Sequence, residues 1–178
     1  MSGEALDQVK EYPLSDGDIR RLLGGSIKIL TYPQLKGLRS INQAFDDQGR
    51  GIVLFLVNGP TSGHWCCLIK RADSIEFFDP YGDTPAEIKD EIPPSRLEAL
   101  DMSSPYLSRL LKQSGLPIYY NTHCFQSKKG DINTCGRHCV VRLLYAPDSV
   151  ERYAAIIKSS GLTADDFVSG LTYDRLKR

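Results

Sequence analysis

Short runs of β-branched and aromatic residues in the first half of the chain predict β-strands. These runs cover residues 52–57, 65–69 and 74–78, and residues 71–73, between the last two, are typical of a tight hairpin link. A fourth strand is predicted at residues 117–121. The first run is apolar almost throughout, which is typical of a buried strand.

Apolar residues at helical spacing lie on both sides of this strand region. Ser15 and Asp18 have the pattern of a capping box before the apolar run 19–23, and two glycines then end that helix. Residues 1–11 are polar and expected to be frayed, and residues 83–103 are expected to form a loop. Further helices are predicted at residues 40–46, 105–113, 135–145, 149–158 and 163–171. The order helices, strands, helices predicts an α+β fold with a mixed or antiparallel sheet flanked by helices.

Length and charge narrow the classes of protein to consider. A chain of 178 residues fits a single domain, with an N-terminal helical part (1–48), a core (50–147) and C-terminal helices (148–178). Acidic and basic residues number 22 each, so a strongly basic nucleic-acid surface is not indicated. The small basic clusters at 128–129 and 175–178 fit solvated surface. We therefore expect no nucleic-acid partner.

The length of the apolar runs and the number of cysteines indicate the cellular compartment of the protein. No apolar run reaches the roughly 20 residues of a membrane span, and the first residues lack the basic and then apolar pattern of a signal segment. We expect the cytosol or nucleus and no membrane partner. Because such compartments are reducing, the five cysteines are expected to be thiols rather than disulfides.

Cys135 lies where a loop is predicted to become a helix. A thiol attacks a carbonyl only as thiolate, and a helix start with a nearby imidazolium lowers a cysteine pKa from about 8.5 to roughly 3.5–7.5. Gly136 beside it lets a substrate backbone approach closely. A buried structural cysteine is the alternative role.

Three further residues complete a set of catalytic groups. His64 begins a strand and has the chemistry of a general base. Asp79 ends a strand antiparallel to that of His64, so its carboxylate can reach the imidazole and orient it. Asp83 lies beyond the turn and is a less favoured candidate for this orienting role. The amide of Gln126 can hold an oxyanion together with the N–H of Cys135. Base, orienting acid, amide donor and thiol are the four parts that a cysteine peptidase needs.

Other roles compete for the same residues. Histidines and cysteines are numerous enough for a metal site, but the paired Cys-x-x-Cys spacing of structural zinc is absent, so we expect no metal and no cofactor. His123 and His138 lie near Cys135 in sequence and are interpreted as structural or substrate-lining. Trp65 is expected beside the site, as the wall of a narrow cleft, or in the core.

The ordered set resembles the superfamily of SUMO-specific and adenovirus proteases over about residues 50–147. The residues that carry the resemblance are His64-Trp65, Phe78-Asp79-Pro80-Tyr81-Gly82, Gln126 and Cys135-Gly136. The form Cys-Gly-Arg-His-Cys at 135–139 is most similar to the maturation proteases of large DNA viruses and virus-like mobile elements. One departure is the gap of nine residues from Gln126 to Cys135, where six or seven are usual, and residues 127–131 fit a small loop insertion.

The resemblance implies a papain-like core and thiol protease activity. It makes Cys135 the nucleophile, His64 the base, Asp79 its orienting residue and Gln126 an oxyanion donor. It also implies cleavage after glycine in a Gly-Gly or Gly-X-Gly context. The expected substrate is a viral precursor protein, cut in the host cytosol or nucleus or in virions. A ubiquitin-like modifier is the alternative substrate, and an inactive ubiquitin-like binding module is the alternative of another class.

Overall fold

The computed structural model describes residues 3–177, which divide into two compact units. The sheet unit comprises residues 27–79 and 83–121, and the helical unit comprises residues 3–26, 80–82 and 122–177. The three-part division of one catalytic domain expected from the sequence stays a prediction. No helix within residues 3–177 combines the length and apolar character that crossing a membrane requires.

The sheet unit contains a five-stranded mixed sheet with the strands in sequence order. The two outer pairs of strands are parallel, and the two inner pairs are antiparallel. The sheet unit also contains three short helices and two 3₁₀ turns, at Tyr32–Gly37 and Ile41–Ala44. Its strands are β1 Lys28–Thr31, β2 Arg50–Gly59, β3 Ser62–Lys70, β4 Ile75–Phe78 and β5 Ile118–Tyr120, and its helices are α3 Pro85–Asp90, α4 Pro94–Ala99 and α5 Tyr106–Gln113.

Aromatic side chains form much of the core of the sheet unit. The Phe55 ring lies 4.9 Å from Tyr32 and 6.3 Å from Phe77, measured between centroids, and all three side chains are buried. Burial raises the pKa of Tyr32 to about 12, while its hydroxyl donates to the Ser104 carbonyl at 2.8 Å. The buried ring therefore keeps a partner for its polar end.

The helical unit contains five helices, of which α1, α2 and α7 pack around α6 and α8. Arg142, in the last turn of α6, is completely buried. Its guanidinium donates to the carbonyls of Tyr145 and Asp148, each at 2.7 Å, and so pairs the backbone that follows the helix. The helices are α1 Gly3–Glu11, α2 Asp16–Leu23, α6 Cys135–Leu144, α7 Val150–Ser159 and α8 Ala164–Leu176.

The α+β class and the mixed sheet are confirmed, but several segments differ from expectation. Residues 3–11 form α1 rather than a frayed end. The Lys10 ammonium pairs with Asp166 of α8 at 2.9 Å, and the Lys10 carbonyl accepts the Asn133 N–H at 2.8 Å. Met1 and Ser2 lie outside the described residues. Residues 83–103 contain α3 and α4 rather than a loop, since Thr84 caps α3 and Pro94 occupies the first position of α4.

Smaller differences concern the ends of elements. Strand β1 and the 3₁₀ turn after it were not expected, and the helix expected at 40–46 is only the 3₁₀ turn Ile41–Ala44. Helix α8 continues to Leu176, beyond the expected end at residue 171. These elements are short or lack a strong stop residue, so their ends depend on packing.

Candidate active site

The register of the sheet brings His64 and Asp79 together. Strands β3 and β4 are antiparallel with Cys67 opposite Phe78, so Asp79, one residue further, falls opposite Cys66. Since alternate residues of a strand share a face, His64 lies on the same face of β3 as Cys66. The His64 Nε2 atom is hydrogen-bonded to Asp79 Oδ1. The expected histidine–aspartate pair is therefore present within the sheet unit.

The Asp79 carboxylate is completely buried and accepts further hydrogen bonds. Oδ1 also accepts the Cys66 thiol at 3.5 Å, and Oδ2 accepts the backbone N–H of Asp83 at 2.9 Å. The Asn121 side-chain amide donates to the Asp79 carbonyl at 2.7 Å. Donors to both carboxylate oxygens compensate for the loss of water and fix the carboxylate in one orientation. Asp83 therefore supports Asp79 through its backbone.

His64, Cys66 and Asp79 also form a group compact enough to hold a metal ion. Their ligand atoms lie within 4.8 Å of one another. Imidazole, thiolate and carboxylate together are a donor set suited to zinc. Binding would require the hydrogen bond between His64 and Asp79 to be replaced by two metal–ligand bonds, so a metal would compete with the base function expected of His64. The expectation that no metal is required stays a prediction.

Cys135 is the first residue of α6, as expected, and is 8% exposed. A sulfur at this position lies beside the first N–H groups of the helix, whose partial positive charge favours a thiolate. Thr134 precedes it as N-cap, but its side chain makes no capping hydrogen bond to the helix. Gly136 is buried in the same turn.

Gln126 belongs to the helical unit, as Cys135 does, and its side chain is buried. Its Nε2 atom donates to the Ile132 carbonyl at 3.2 Å, and its Oε1 atom has no hydrogen-bond partner among the described residues. The amide therefore closes the loop that contains residues 127–131, which the sequence indicated as a small insertion. The second Nε2 hydrogen is the donor that an oxyanion role would use.

The other expected residues fall into two groups by burial. Trp65 is 7% exposed and alternates with His64 along β3, so it faces the opposite side of the sheet. A core position is thus the simpler role for Trp65. His123 is exposed, with its ring 5.6 Å from Phe125, and His138 is completely buried in α6, where its Nε2 atom is hydrogen-bonded to Asp165.

Sequence reasoning did not identify Cys66, Asn121 or Asp165 as partners of the expected site residues. The position of Cys66 two residues after His64 was sufficient to place both on one face of a strand. No local pattern indicates the other two, because Asn121 and Asp165 reach Asp79 and His138 across sequence separations of 42 and 27 residues.

The fold and the paired side chains define an α+β protein with a histidine bound to a buried carboxylate in its sheet unit and a cysteine at a helix start. No family model matches the chain. It is 40% identical over 140 residues to Uncharacterized protein V9 of Sputnik virophage, an alignment that covers 78% of this chain and 79% of that protein. The chain belongs to the family of this virophage protein, so it is a viral-type protein.

Proposed function

We propose that the chain is a cysteine peptidase with Cys135 as nucleophile, His64 as general base and Asp79 as the residue that orients it. The observation that carries the proposal is the hydrogen bond from His64 to a completely buried carboxylate that accepts two further donors. This arrangement fixes the proton on Nε2, which makes Nδ1 the nitrogen that takes the proton of the thiol.

The reaction proceeds through a thioester. Cys135 transfers its proton to His64, and the thiolate attacks the scissile carbonyl to form a tetrahedral oxyanion, which Gln126 and the Cys135 N–H stabilise. The carbon–nitrogen bond then breaks, and the amine leaves with the proton from His64. Water, deprotonated by His64, attacks the thioester and releases the carboxylic acid and the thiol.

The proposed substrate is a protein cut after glycine in a Gly-Gly or Gly-X-Gly context. Membership of a virophage protein family favours a viral precursor, processed in the host cell or in virions, over a host modifier. A deubiquitinase or SUMO-type isopeptidase would need the same narrow site, with Gly136 proposed to line it. A binding module without activity would have no use for a thiol and an oriented imidazole together.

The test is covalent capture of the nucleophile. The purified protein is treated with ubiquitin and with SUMO that carry a C-terminal electrophile, in parallel with Cys135→Ala, His64→Ala and Cys124→Ser variants. Cys124 is an exposed thiol, so its replacement is the control for non-specific reaction. An adduct that needs Cys135 and His64 but not Cys124 supports a peptidase acting on modifiers.

A second reagent separates the remaining outcomes. If neither modifier reacts, iodoacetamide labelling of Cys135 that requires His64 supports a peptidase for precursor proteins. Trypsin releases residues 130–137 as a peptide with Cys135 as its single cysteine, so labelling at this site is measured directly by mass spectrometry. Labelling that is equal in the wild type and in His64→Ala would overturn the proposed function and favour the binding module.

A further inference from the structure

Asp165 is a buried carboxylate in the first turn of α8 and binds three groups of the helical unit. Its Oδ1 atom accepts the Thr134 hydroxyl at 2.5 Å and is hydrogen-bonded to His138 Nε2 at 2.9 Å. Its Oδ2 atom accepts the backbone N–H of Ser127 at 3.0 Å. Burial raises the pKa of Asp165, but the hydrogen bonds from His138, Thr134 and Ser127 outweigh it and leave the pKa below its ordinary value. The group is therefore a carboxylate at neutral pH.

The three partners of Asp165 lie on both sides of the proposed catalytic residues. Ser127 directly follows Gln126, Thr134 directly precedes Cys135, and His138 follows Cys135 by three residues, one helical turn along α6. One carboxylate thus holds both ends of the segment between the oxyanion donor and the nucleophile.

Thr134 differs from the other Ser and Thr residues that cap α-helices within residues 3–177. At four helices the hydroxyl accepts a hydrogen bond from a backbone N–H of the first turn, and the backbone of the cap residue is extended. These caps are Ser15, Thr84, Ser149 and Thr163. Thr134 has φ −94° and ψ 4°, and its hydroxyl donates to Asp165 instead. It therefore does not compete for the first-turn N–H groups of α6.

We propose that Asp165 is a positioning residue for the Cys135 nucleophile, which it supports by holding the Thr134 hydroxyl away from the start of α6. This inference rests on the proposed function, since it assigns a role in activating the same thiol. Asp165 acts through Thr134 and contacts no reacting atom. The first-turn N–H groups then serve the Cys135 thiolate and the oxyanion rather than a cap.

The test is the pH profile of iodoacetamide alkylation at Cys135 in the full chain. In Asp165→Asn an NH₂ group replaces one of the two carboxylate oxygens. The Thr134 hydroxyl is then expected to lose its acceptor and to cap α6. The midpoint of the profile is the pH at which the alkylation rate reaches half of its alkaline plateau. It is expected to rise by about 0.5–1 pH unit, the size of one capping interaction. Removal of a nearby negative charge alone would move the midpoint downward, so the direction of the shift separates the two effects.

A double variant distinguishes positioning from general structural support. In Asp165→Asn combined with Thr134→Val no hydroxyl remains to cap α6, and the midpoint is expected to return at least halfway to the wild-type value. The control is Asp174→Asn, the same charge change at an exposed position of the same helix, which is expected to leave the profile unchanged. An unchanged or lowered midpoint in Asp165→Asn, or a double variant no closer to wild type, overturns the proposal.

A variant of Thr134 covers the case in which Asp165→Asn does not fold. Asparagine is a stronger cap than threonine, so Thr134→Asn is expected to raise the midpoint, whereas Thr134→Val is not. Equal midpoints in these two variants would overturn the role of Asp165. Failure of the proposed function gives a different result, because alkylation of the wild type would then not depend on His64.

Discussion

Replacement of Asp79 by asparagine changes the charge and the hydrogen-bonding of the proposed orienting residue while keeping its shape. The backbone N–H of Asp83 lies 2.9 Å from Oδ2 and needs an acceptor, so the asparagine oxygen is expected to face Asp83. The amide nitrogen then faces His64 in place of the carboxylate oxygen. His64 Nε2 must now accept a hydrogen bond, which moves the ring proton to Nδ1 and removes the proposed base for Cys135.

The size of the effect follows from the ionisation of the thiol. An unassisted cysteine with a pKa of about 8.5 is roughly 3% thiolate at pH 7. Alkylation of Cys135 at pH 7 is therefore expected to fall up to about 30-fold in Asp79→Asn, with the midpoint of its profile near 8.5. Turnover of a cleavable substrate should fall further, by about 10³–10⁴-fold, as expected for a wrong histidine tautomer.

The assay is iodoacetamide labelling followed by quantification of the tryptic peptide 130–137. The matched control is Asp83→Asn, which keeps the backbone N–H bound to Asp79 and is expected to alter the rate by no more than about twofold. A wild-type profile for Asp79→Asn, or an equal loss in Asp83→Asn, would refute the assignment of Asp79 as orienting residue.

Three further predictions concern stability. Asp46→Ala removes the carboxylate that lies 2.9 Å from the mostly buried guanidinium of Arg50, so urea denaturation should show a loss of about 3–5 kcal/mol. A loss below about 1 kcal/mol would contradict this. Burial raises the pKa of Asp166, but its bonds to Lys10 and Thr163 lower it overall. The Asp166 carboxylate therefore stabilises the fold above its ordinary pKa of 3.8, and this stabilisation is lost as the pH falls through the lower pKa of the folded state. The difference in unfolding free energy between wild type and Asp166→Asn should close in acid. A difference that stays constant with pH would contradict this prediction. Gly82 has φ +86° and a Cβ there would lie 3.0 Å from the His123 carbonyl, so Gly82→Ala should cost about 1–3 kcal/mol in thermal unfolding, and an unchanged melting temperature would argue otherwise.

Elements with strong local chemistry could be predicted from the sequence. The capping box of α2 is formed as expected, with the Ser15 hydroxyl accepting the Asp18 N–H at 3.1 Å. The hairpin that brings Asp79 to His64 follows from two apolar runs and a short link. In these cases local preference and tertiary packing agree, so the pattern is sufficient.

Elements that depend on distant partners could not be predicted. Helix α1 is polar, and the bond from Lys10 to Asp166 crosses almost the whole chain. Strand β1 is four residues long and is identified by its parallel pairing with β2 rather than by alternation. Asp165 has the sequence pattern of a solvated residue in a first helical turn, and only the fold shows that it is buried against Thr134. Long-range pairing leaves no local trace in the sequence.

The contact between α1 and α8 bears on the order in which the protein folds during synthesis. The sheet unit is built from residues 27–79 and 83–121 and can begin to form while translation continues. The helical unit needs α8, which carries Asp165, before Lys10 and Thr134 have their partners. The segment around Cys135 is thus expected to reach its native conformation only after α8 has emerged from the ribosome. The proposed nucleophile would therefore acquire its native surroundings only in a chain whose helical unit is complete.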